Sequence, residues 1–293
     1  MVPRSRSTLI VTTYEWPAAL DLTLRSIARQ SMAPGEIIVA DDGSGEDTAR
    51  VVDRWRGRMA APLIHLWQPH EGFRLARSRN RAIAAAKGEY LIIADGDMVL
   101  HQHFVADHLK AARCGTFIQG VRLLTQADTA ARMLREACMD LSFFAHGIRR
   151  RRHTVRNLLL SRLLFWKRAG QSAIRGCNQA YWKSDLLRVN GFNEAFMGWG
   201  REDNEIAARL YNIGVYRRNL KFQALAIHLH HPPRQPPGLN PNDAILRQAI
   251  ERGETWCPLG LDRHAIPVFQ SCAQSQAQSG AASELREPLR NFA

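Results

Sequence analysis

Two acidic motifs, about one hundred residues apart, carry the side chains best suited to chemistry. The first, Asp95-Gly96-Asp97, follows an apolar run, so its carboxylates emerge at the end of a predicted strand. Hard oxygen ligands suit Mg²⁺ or Mn²⁺, which bind through one or two carboxylates together with substrate phosphates. We therefore predict that Asp95 and Asp97 hold a divalent cation that neutralises charge on a diphosphate leaving group. The alternative is a solvated turn.

The second motif, residues 198–205, places an indole between two glycines and follows it with carboxylates. Apolar sugar faces stack well on indole, so Trp199 and Gly200 are predicted to contact an acceptor sugar. Glu202 and Asp203 begin a predicted helix, where the helix dipole lowers the pKa of a carboxylate and leaves it available as a base. The alternatives are a core tryptophan and ordinary capping of the helix by acidic residues.

Three histidines close a later strand-like run, at His228, His230 and His231. Side chains alternate along a strand, so His228 and His230 are predicted to share a face. One imidazole would complete the cation site and favour Mn²⁺ over Mg²⁺. His228 and His230 are the preferred ligands, with His231 third.

Two further segments predict contacts with a nucleotide. Asp41-Asp42-Gly43-Ser44 forms a carboxylate turn in which Asp42 would accept hydrogen bonds from a base imide or a ribose hydroxyl, unless the turn only caps a helix. Residues 73–80 open a basic helix whose N-terminus could bind phosphate, with Arg77 adding a bidentate contact. The alternative for each arginine is a solvated helix face.

Alternating strands and helices must position these groups. Strands are predicted at 9–13, 36–40, 62–66 and 89–94, and helices from Pro17, at 47–55 and at 75–87. This order predicts an α/β fold with a single, mostly parallel, Rossmann-like sheet covered by helices. Ligands bind beyond the carboxyl ends of such strands, where Thr12-Thr13-Tyr14 and both acidic clusters lie. Thr12 and Tyr14 are therefore donor-binding candidates.

The second half of the chain gives less regular predictions. Strands are expected near 117–123, 176–182 and 222–229, with a helix at 202–212. We expect residues 1–115 and 116–264 to form two halves of one catalytic domain, the first binding the nucleotide and the second the acceptor. Residues 265–293 are rich in Gln, Ser and Ala, which predicts a disordered tail.

The 293 residues carry a net charge of +13, which suits an anionic partner. Eight basic residues and no acid fall within 148–168, interleaved with leucines and aromatics. This segment could lie on an anionic membrane surface, bind nucleic acid, or be a solvated face. Because the excess charge is mostly local, we expect no nucleic-acid partner.

Five widely spaced cysteines without a Cys-x-x-Cys pair indicate a reducing compartment. The start of the chain lacks the apolar core of a signal peptide, and no run of about 18 apolar residues occurs. These features predict a cytoplasmic protein, peripheral on the inner face of the plasma membrane.

With these motifs placed, residues 8–232 resemble the inverting, family-two glycosyltransferases of the A-type fold. The motifs at Thr12, Asp41 and Asp95 are shared broadly with that group. Residues 175–182, 190–194 and 198–205 are more specific, and resemble the C-terminal half of β-1,4-galactosyltransferases and of bacterial chondroitin-polymerase-type transferases. Arg201 departs from the pattern, since galactosyltransferases usually carry Gly there, which leaves the donor sugar open.

The resemblance implies a role for each matched residue. Asp203 would deprotonate the acceptor hydroxyl, Glu202 would orient donor or acceptor, and Trp199 would lie along the sugars. Asp42 would contact uracil, and Asp95 the ribose or the metal. The cation would be held by Asp97 and one histidine of the cluster.

The predicted function is transfer of a sugar from a nucleotide diphosphate, UDP-linked by expectation, to a glycan or lipid-linked acceptor in bacterial cell-surface polysaccharide synthesis. Mn²⁺ or Mg²⁺ is the expected cofactor. Two rival classes are a nucleotidyltransferase of similar fold and a non-catalytic carbohydrate- or nucleic-acid-binding protein. The first would show a Gly-rich phosphate loop after the first strand, where this chain has Thr-Thr-Tyr-Glu-Trp-Pro. The second would have lost one of the acidic motifs.

Overall fold

A computed structural model describes residues 2–163, 167–232 and 242–264. The predicted tail, residues 265–293, lies outside this range. The main feature of the fold is an eight-stranded sheet. The first four strands in spatial order are parallel to one another, as the sequence predicts. In spatial order the strands are β3 (Leu63–Trp67), β2 (Glu36–Asp41), β1 (Ser7–Thr13), β4 (Tyr90–Asp95), β10 (Asn178–Trp182), β6 (Thr116–Gln119), β11 (Tyr216–Asn219) and β9 (Lys167–Arg168).

The two faces of this sheet are both covered. The helices are α1 (Pro17–Ala28), α2 (Glu46–Arg56), α3 (Leu75–Ala85), α4 (Phe104–Ala111), α5 (Ala127–Glu136), α6 (Leu158–Leu163), α7 (Lys183–Arg188), α8 (Glu202–Asn212) and α9 (Asp243–Glu251). Along β1, Leu9 and Val11 belong to one buried apolar cluster, and Ile10 between them belongs to another. A strand that is buried on both faces has consecutive apolar residues rather than alternating ones, which explains the apolar run in β1.

A second, smaller sheet was not predicted. Its four strands, in spatial order, are β5 (Met98–Leu100), β12 (Ala226–His228), β7 (Leu123–Thr125) and β8 (Ile148–Arg149). Strands of two or three residues are too short for side-chain alternation to be visible in a sequence. This sheet matters for function because β12 lies antiparallel to β5, with His228 opposite Met98.

Two predicted strands are corrected. The strand expected at 117–123 divides into β6 and β7, which belong to different sheets. The strand expected at 222–229 shortens to the three residues of β12. The basic segment 148–168 contains β8, a 3₁₀ turn at Arg151–Thr154, α6 and β9. Among the residues described, no helix has the length and apolarity to cross a bilayer.

Candidate active site

The carboxyl ends of β1, β2 and β4 open into a cleft of about 640 Å³. Most of the residues predicted from the sequence line it. They are Thr12, Tyr14, Asp42, Asp95, Asp97, Trp199, Gly200, Glu202, Asp203 and His228. The cleft therefore joins the two acidic motifs, which are far apart in the sequence.

One end of the cleft is built around Asp42. This residue is buried, and its carboxylate accepts hydrogen bonds from Gln68 Nε2 at 2.6 Å and from the backbone N–H of Arg74 at 2.8 Å. Burial raises the pKa of Asp42, against the lowering effect of these two donors. Its neighbour Asp41 has a different role, because it is fully buried and bonds Ser44 N and His65. Asp42 is thus the carboxylate of the turn that faces the cleft.

An aromatic pair borders this end. The rings of Tyr14 and His70 stack with their centroids 4.5 Å apart. His70 Nδ1 also contacts the backbone carbonyl of Asp42, at 3.2 Å. The sequence analysis did not select His70, since a single histidine in a loop carries no distinguishing pattern.

The side chain of Arg77 bonds neighbouring residues, although its charge acts on Asp42 in the cleft. Its Nη1 bonds Glu71 Oε2 at 2.8 Å and its Nη2 bonds the carbonyl of Pro69, and it is not among the residues that line the cleft. Two residues further along α3, Arg79 enters the cleft instead. The difference between the two follows from helix geometry, since side chains two positions apart point to different sides of a helix.

Asp95 is fixed at the end of β4 by its neighbours on β1. The hydroxyl of Thr12 donates to Asp95 Oδ1 at 3.0 Å, and these residues are in register in the sheet. Gly96 follows, and a Cβ there would stand 2.8 Å from the carbonyl oxygen of Thr12. The central position of the Asp-x-Asp motif therefore has no room for a side chain, and Asp95 and Asp97 are held on either side of it.

Asp97, His228 and His231 form a group whose ligand atoms all lie within 4.8 Å of one another. His228 Nε2 is 3.6 Å and His231 Nε2 is 3.4 Å from Asp97 Oδ2. Burial, followed by the charge of Arg122, lowers the pKa of His228, which keeps its imidazole in the neutral form that metals bind. One carboxylate and two imidazoles are a mixed oxygen and nitrogen set, and this set fits Mn²⁺.

The pairing of β12 with β5 accounts for this group. His228 lies opposite Met98, and the backbone N–H of Leu229 donates to the carbonyl of Asp97 at 3.0 Å. The strand ends at His228, so the alternation expected for His230 does not continue. His230 is exposed and outside the group, and His231 lies within it. The preference for His230 over His231 is corrected accordingly.

Arg79 binds the carboxylates of both acidic motifs. It is 1% exposed, and its Nη1 lies 2.8 Å from Asp203 and 3.7 Å from Glu202, while its Nη2 lies 3.5 Å from Asp95. Burial alone would lower the pKa of Arg79, but the three carboxylates raise it above its ordinary value. The guanidinium therefore remains charged and holds the two motifs together.

The pKa prediction for Glu202 and Asp203 is wrong in sign. Burial is the largest cause and raises the pKa of both carboxyl groups, and Arg79 lowers it only in part. Glu202 is 5% exposed, and its Oε2 has no hydrogen-bond partner among the described residues. Desolvation outweighs the helix dipole here, so a proton is held more readily than the sequence suggests.

Gly176 leaves room for the Arg79–Asp203 ion pair. A Cβ on Gly176 would stand 2.3 Å from Asp203 Oδ1 and 2.5 Å from Arg79 Nη2. The backbone N–H of Gly176 also donates to Asp203. The glycine immediately before Cys177 and β10 is thus required by the ion pair rather than by a turn.

Trp199 lies on a loop whose backbone is held in positive-φ conformations. Gly198, Gly200 and Arg201 have φ values of 75°, 102° and 79°. The Trp199 side chain is 55% exposed at the cleft, which excludes the core-tryptophan alternative. Asn242 steadies the loop by donating to the carbonyls of Met197 and Gly200.

A nucleotide-sized cleft at the carboxyl edge of a parallel sheet, with an Asp-x-Asp motif and a buried acidic pair, defines an A-type glycosyltransferase architecture. The chain belongs to glycosyl transferase family 2, whose profile matches residues 8–174. A second profile, described as the N-terminal domain of galactosyltransferase, matches residues 162–232. Both parts of the resemblance seen in the sequence are thereby confirmed.

Curated relatives share part of their length with this chain. Chondroitin synthase of Escherichia coli is 26% identical over 246 residues, which are 78% of this chain and 35% of that protein. Validoxylamine A glucosyltransferase of Streptomyces hygroscopicus subsp. limoneus is 29% identical over 231 residues, covering 71% and 48%. The chain thus spans half or less of the length of these relatives.

The fold is shared with solved structures. A mannosyltransferase from Pyrobaculum calidifontis, in complex with GDP-Man and Mn²⁺, superposes with a TM-score of 0.52 at 17% identity. The match covers 97% of this chain and 81% of the mannosyltransferase. The predicted α/β fold with a mostly parallel central sheet is confirmed.

Proposed function

We propose that this protein is a metal-dependent, inverting glycosyltransferase that moves a hexose or N-acetylhexosamine from a nucleotide diphosphate to an acceptor hydroxyl. One observation carries the proposal. A single cleft holds a carboxylate pocket at Asp42, the Asp97–His228–His231 group, and a buried acidic pair at Glu202 and Asp203. Family membership favours this function over the nucleotidyltransferase and binding-protein alternatives.

The donor would lie across the ends of β2, β1 and β4. Asp42 accepts hydrogen bonds already and has oxygen lone pairs left for an imide N–H, which favours a uracil base and hence a UDP-sugar. Tyr14 and Thr12 border the same end of the cleft, and Asp95 faces the ribose or the cation. Residues 1–115 thus act as the nucleotide-binding half.

A divalent cation, Mn²⁺ or Mg²⁺, would be held by Asp97 with His228 and His231. When bound, it supplies positive charge to the departing diphosphate. The donor set fits this role because the imidazole of His228 stays neutral and the carboxylate of Asp97 lies within reach of both rings.

Asp203 would remove the proton from the acceptor hydroxyl, which attacks the anomeric carbon from the face opposite the leaving group. One displacement inverts the configuration, so an α-linked donor gives a β-glycoside. Arg79 fixes the position of Asp203 through the 2.8 Å ion pair, and Glu202 orients donor or acceptor. Trp199 and Gly200, on the loop that borders the cleft, provide the stacking surface for the acceptor, so residues 116–264 form the acceptor half.

The acceptor would be a glycan or lipid-linked intermediate in bacterial cell-surface polysaccharide or lipopolysaccharide synthesis. The basic, apolar segment 148–163 exposes Leu159 and Leu163, each 68% exposed, beside Arg149–Arg152. The ring of His153, within the segment, contacts the carbonyl of Arg122, a residue of the cleft, at 2.7 Å, so the segment borders the site. We infer a peripheral protein on the cytoplasmic, anionic face of the plasma membrane, with no nucleic-acid partner.

A donor-hydrolysis screen tests the function. The purified chain is mixed with UDP-, GDP- and dTDP-sugars, with Mn²⁺ or with EDTA, and the released nucleotide is quantified. We expect slow release from a UDP-sugar, dependent on the metal. Release that EDTA leaves unchanged would contradict the metal proposal, and binding of neither UDP nor Mn²⁺ would contradict the function.

The base is tested separately with Asp203→Asn, with Asp243→Asn as a matched control. Asp243 also lines the cleft and also bonds an arginine, Arg201. We expect Asp203→Asn to lower turnover by about a hundredfold or more while UDP still binds, because general base catalysis contributes about 10²–10⁴-fold. Full turnover in Asp203→Asn would refute the mechanism. The anomeric configuration of the product, read by NMR, tests inversion.

A further inference from the structure

Two arginines line the cleft at the end opposite Asp42, and the proposed mechanism uses neither. Arg122 follows β6, and Arg175 precedes β10. Within the part of the chain that the structure describes, neither side chain forms a salt bridge with a carboxylate. The Nη1 of Arg122 donates to the Sγ of Cys177 at 3.3 Å, and its buried Nε has no hydrogen-bond partner among the described residues.

The backbone beneath both arginines is rigidly held. The side chain of the buried Gln119 accepts from the N–H of Arg175 at 3.0 Å and donates to its carbonyl at 2.9 Å. The ring of His153 contacts the carbonyl of Arg122 at 2.7 Å. Two half-buried arginines, carried on a hydrogen-bonded backbone, therefore line one cleft.

A third arginine, Arg150, extends this cluster, because its carbonyl accepts at 2.9 Å from the N–H of His153, whose ring contacts Arg122. Burial is the largest cause lowering the pKa of Arg175, followed by the charges of Arg150 and Arg122. Arg175 is therefore held close to like charges, while the carboxylates of Asp95 and Asp97 act on Arg122. An anion would offset this repulsion, and a guanidinium group matches carboxylate and phosphate oxygens with two parallel hydrogen bonds.

The order of strands shows which substrate this cluster would contact. Along the sheet edge, Asp42 follows β2, Tyr14 follows β1, Asp97 follows β4, and the arginines lie at β10 and β6. A donor whose base lies at Asp42 and whose diphosphate lies at Asp97 ends before Arg175, and Arg122, whose charge acts on Asp97 and His228, lies at the boundary between the two. Gly176, next to Arg175, donates to Asp203, so the cluster adjoins the base.

We propose that Arg122, Arg150 and Arg175 form a subsite for one anionic group, a carboxylate or a phosphate, carried by the acceptor beside the hydroxyl that is glycosylated. This inference rests on the proposed function, since it takes the positions of donor and base from it. Beyond the proposed function, this inference states that the acceptor is acidic.

The test uses the full chain saturated with UDP and Mg²⁺, which fills the position of the donor diphosphate. Inorganic phosphate and glucuronate are titrated as probes by calorimetry. We expect at least one probe to bind saturably, and Arg175→Gln and Arg150→Gln to weaken its binding by about tenfold or more, because hydrogen bonds to charged groups are strong. Arg132→Gln, which removes an exposed charge from α5, is the matched control and should not change the Kd.

The outcomes separate the sources of the anion. Preference for phosphate indicates a phosphate-linked acceptor, and preference for glucuronate indicates a uronic acid. Binding of neither probe, or equal binding by Arg175→Gln, overturns the inference. Binding that occurs only when UDP is omitted assigns the arginines to the donor diphosphate and also overturns it. If UDP itself does not bind, the proposed function fails separately, and the probes titrated into the free chain still test the cluster.

Discussion

Gly176 is the residue at which the smallest change should have the largest effect. Adding one methyl group, in Gly176→Ala, places a carbon within 2.5 Å of both partners of the Arg79–Asp203 ion pair. The pair must move, and a displacement of about 1 Å in a catalytic group costs on the order of a hundredfold in rate. We expect that loss in metal-dependent donor hydrolysis, with the affinity for UDP unchanged.

Gly57→Ala is the matched control for this prediction. Gly57 ends α2 in right-handed helical backbone, and a Cβ there meets nothing within 4 Å. Its hydrolysis rate should equal that of the wild type. A Gly176→Ala variant with wild-type turnover would show that the ion pair does not depend on this glycine.

Glu202 gives the stability of the protein a pH dependence of predictable sign. Burial raises the pKa of Glu202 in the folded state above its ordinary value of 4.5. The folded chain then binds more protons than the unfolded chain between these two values, so stability is present below pH 4.5 and is lost as pH rises toward the raised value. Replacing the carboxyl group of Glu202 by a neutral amide removes this loss of stability at higher pH.

The measurement compares the Tm of wild type and Glu202→Gln from pH 5 to pH 8. We expect the variant to gain relative to the wild type by roughly 2–4 °C per pH unit, since one pKa unit is about 1.4 kcal/mol. Glu251→Gln, on the exposed face of α9, should show no such trend. A Tm difference that stays constant with pH would mean that Glu202 is ionised in the folded protein.

Residues that line the cleft could be predicted from the sequence where they belong to a continuous motif. They could not be predicted where several residues of the same type lie on one helix and packing determines which of them faces the cleft. Asp42, Asp97 and Asp203 lie in motifs that fix their position. Among the arginines of α3, the sequence analysis selected Arg77, whereas the structure places Arg79 in the cleft. A signal was present, because Arg79 is three residues from the buried Ala76 and Ala82 and therefore shares their helix face.

At the scale of elements, β12 and β5 determine which histidines lie in the group with Asp97. Their pairing places His228 beside Asp97, and the chain turns after β12 so that His231 reaches the same group. His230 lies between His228 and His231 in the sequence, is exposed, and provides a control for substitutions of these two histidines. We expect His231→Ala to weaken Mn²⁺ binding in the presence of UDP by about tenfold to a hundredfold, and His230→Ala to leave it unchanged.

Titration of Mn²⁺ followed by electron paramagnetic resonance measures both affinities. Asp97→Asn should weaken binding at least as much as His231→Ala, because it removes the only carboxylate of the group. Equal losses in His230→Ala and His231→Ala would mean that the histidine segment changes conformation when metal binds.

Helices and strands were predicted correctly where they are long enough to show a periodic pattern of apolar residues. Helix α8 begins and ends where its apolar spacing and acidic first turn indicate, at Glu202 and Asn212. Helices α4, α5, α7 and α9 were not predicted, and α7 has only six residues, too few for its periodicity to be visible. The second sheet was missed because β5, β7 and β12 have three residues each, and their pairing joins segments more than one hundred residues apart.

At the scale of the whole molecule, charge and exposed apolar surface coincide in one region that borders the cleft. Arg151 donates to the carbonyls of Phe143 and Ala145, which places the 82%-exposed Phe144 beside the basic segment 148–163. Basic residues near an anionic bilayer contribute about 1 kcal/mol each, and inserted leucines add apolar burial. A membrane surface would satisfy both features, and it would present a lipid-linked acceptor at the cleft.

We therefore expect the protein to co-sediment with vesicles of phosphatidylglycerol and phosphatidylcholine, and to be released from them as salt rises from about 0.1 M to 1 M, because the Debye length shortens from about 10 Å to 3 Å. The double variant Leu159→Ser/Leu163→Ser should partition at least about tenfold less, since each leucine loses much of the 1.5–3 kcal/mol that its burial provides. Leu259→Ser, at a 41%-exposed leucine outside the segment, should partition as the wild type does. Equal binding to vesicles of phosphatidylcholine alone would argue against electrostatic attraction. Salt-sensitive binding that survives the double variant would assign the interaction to the arginines alone, with the leucines remaining in water.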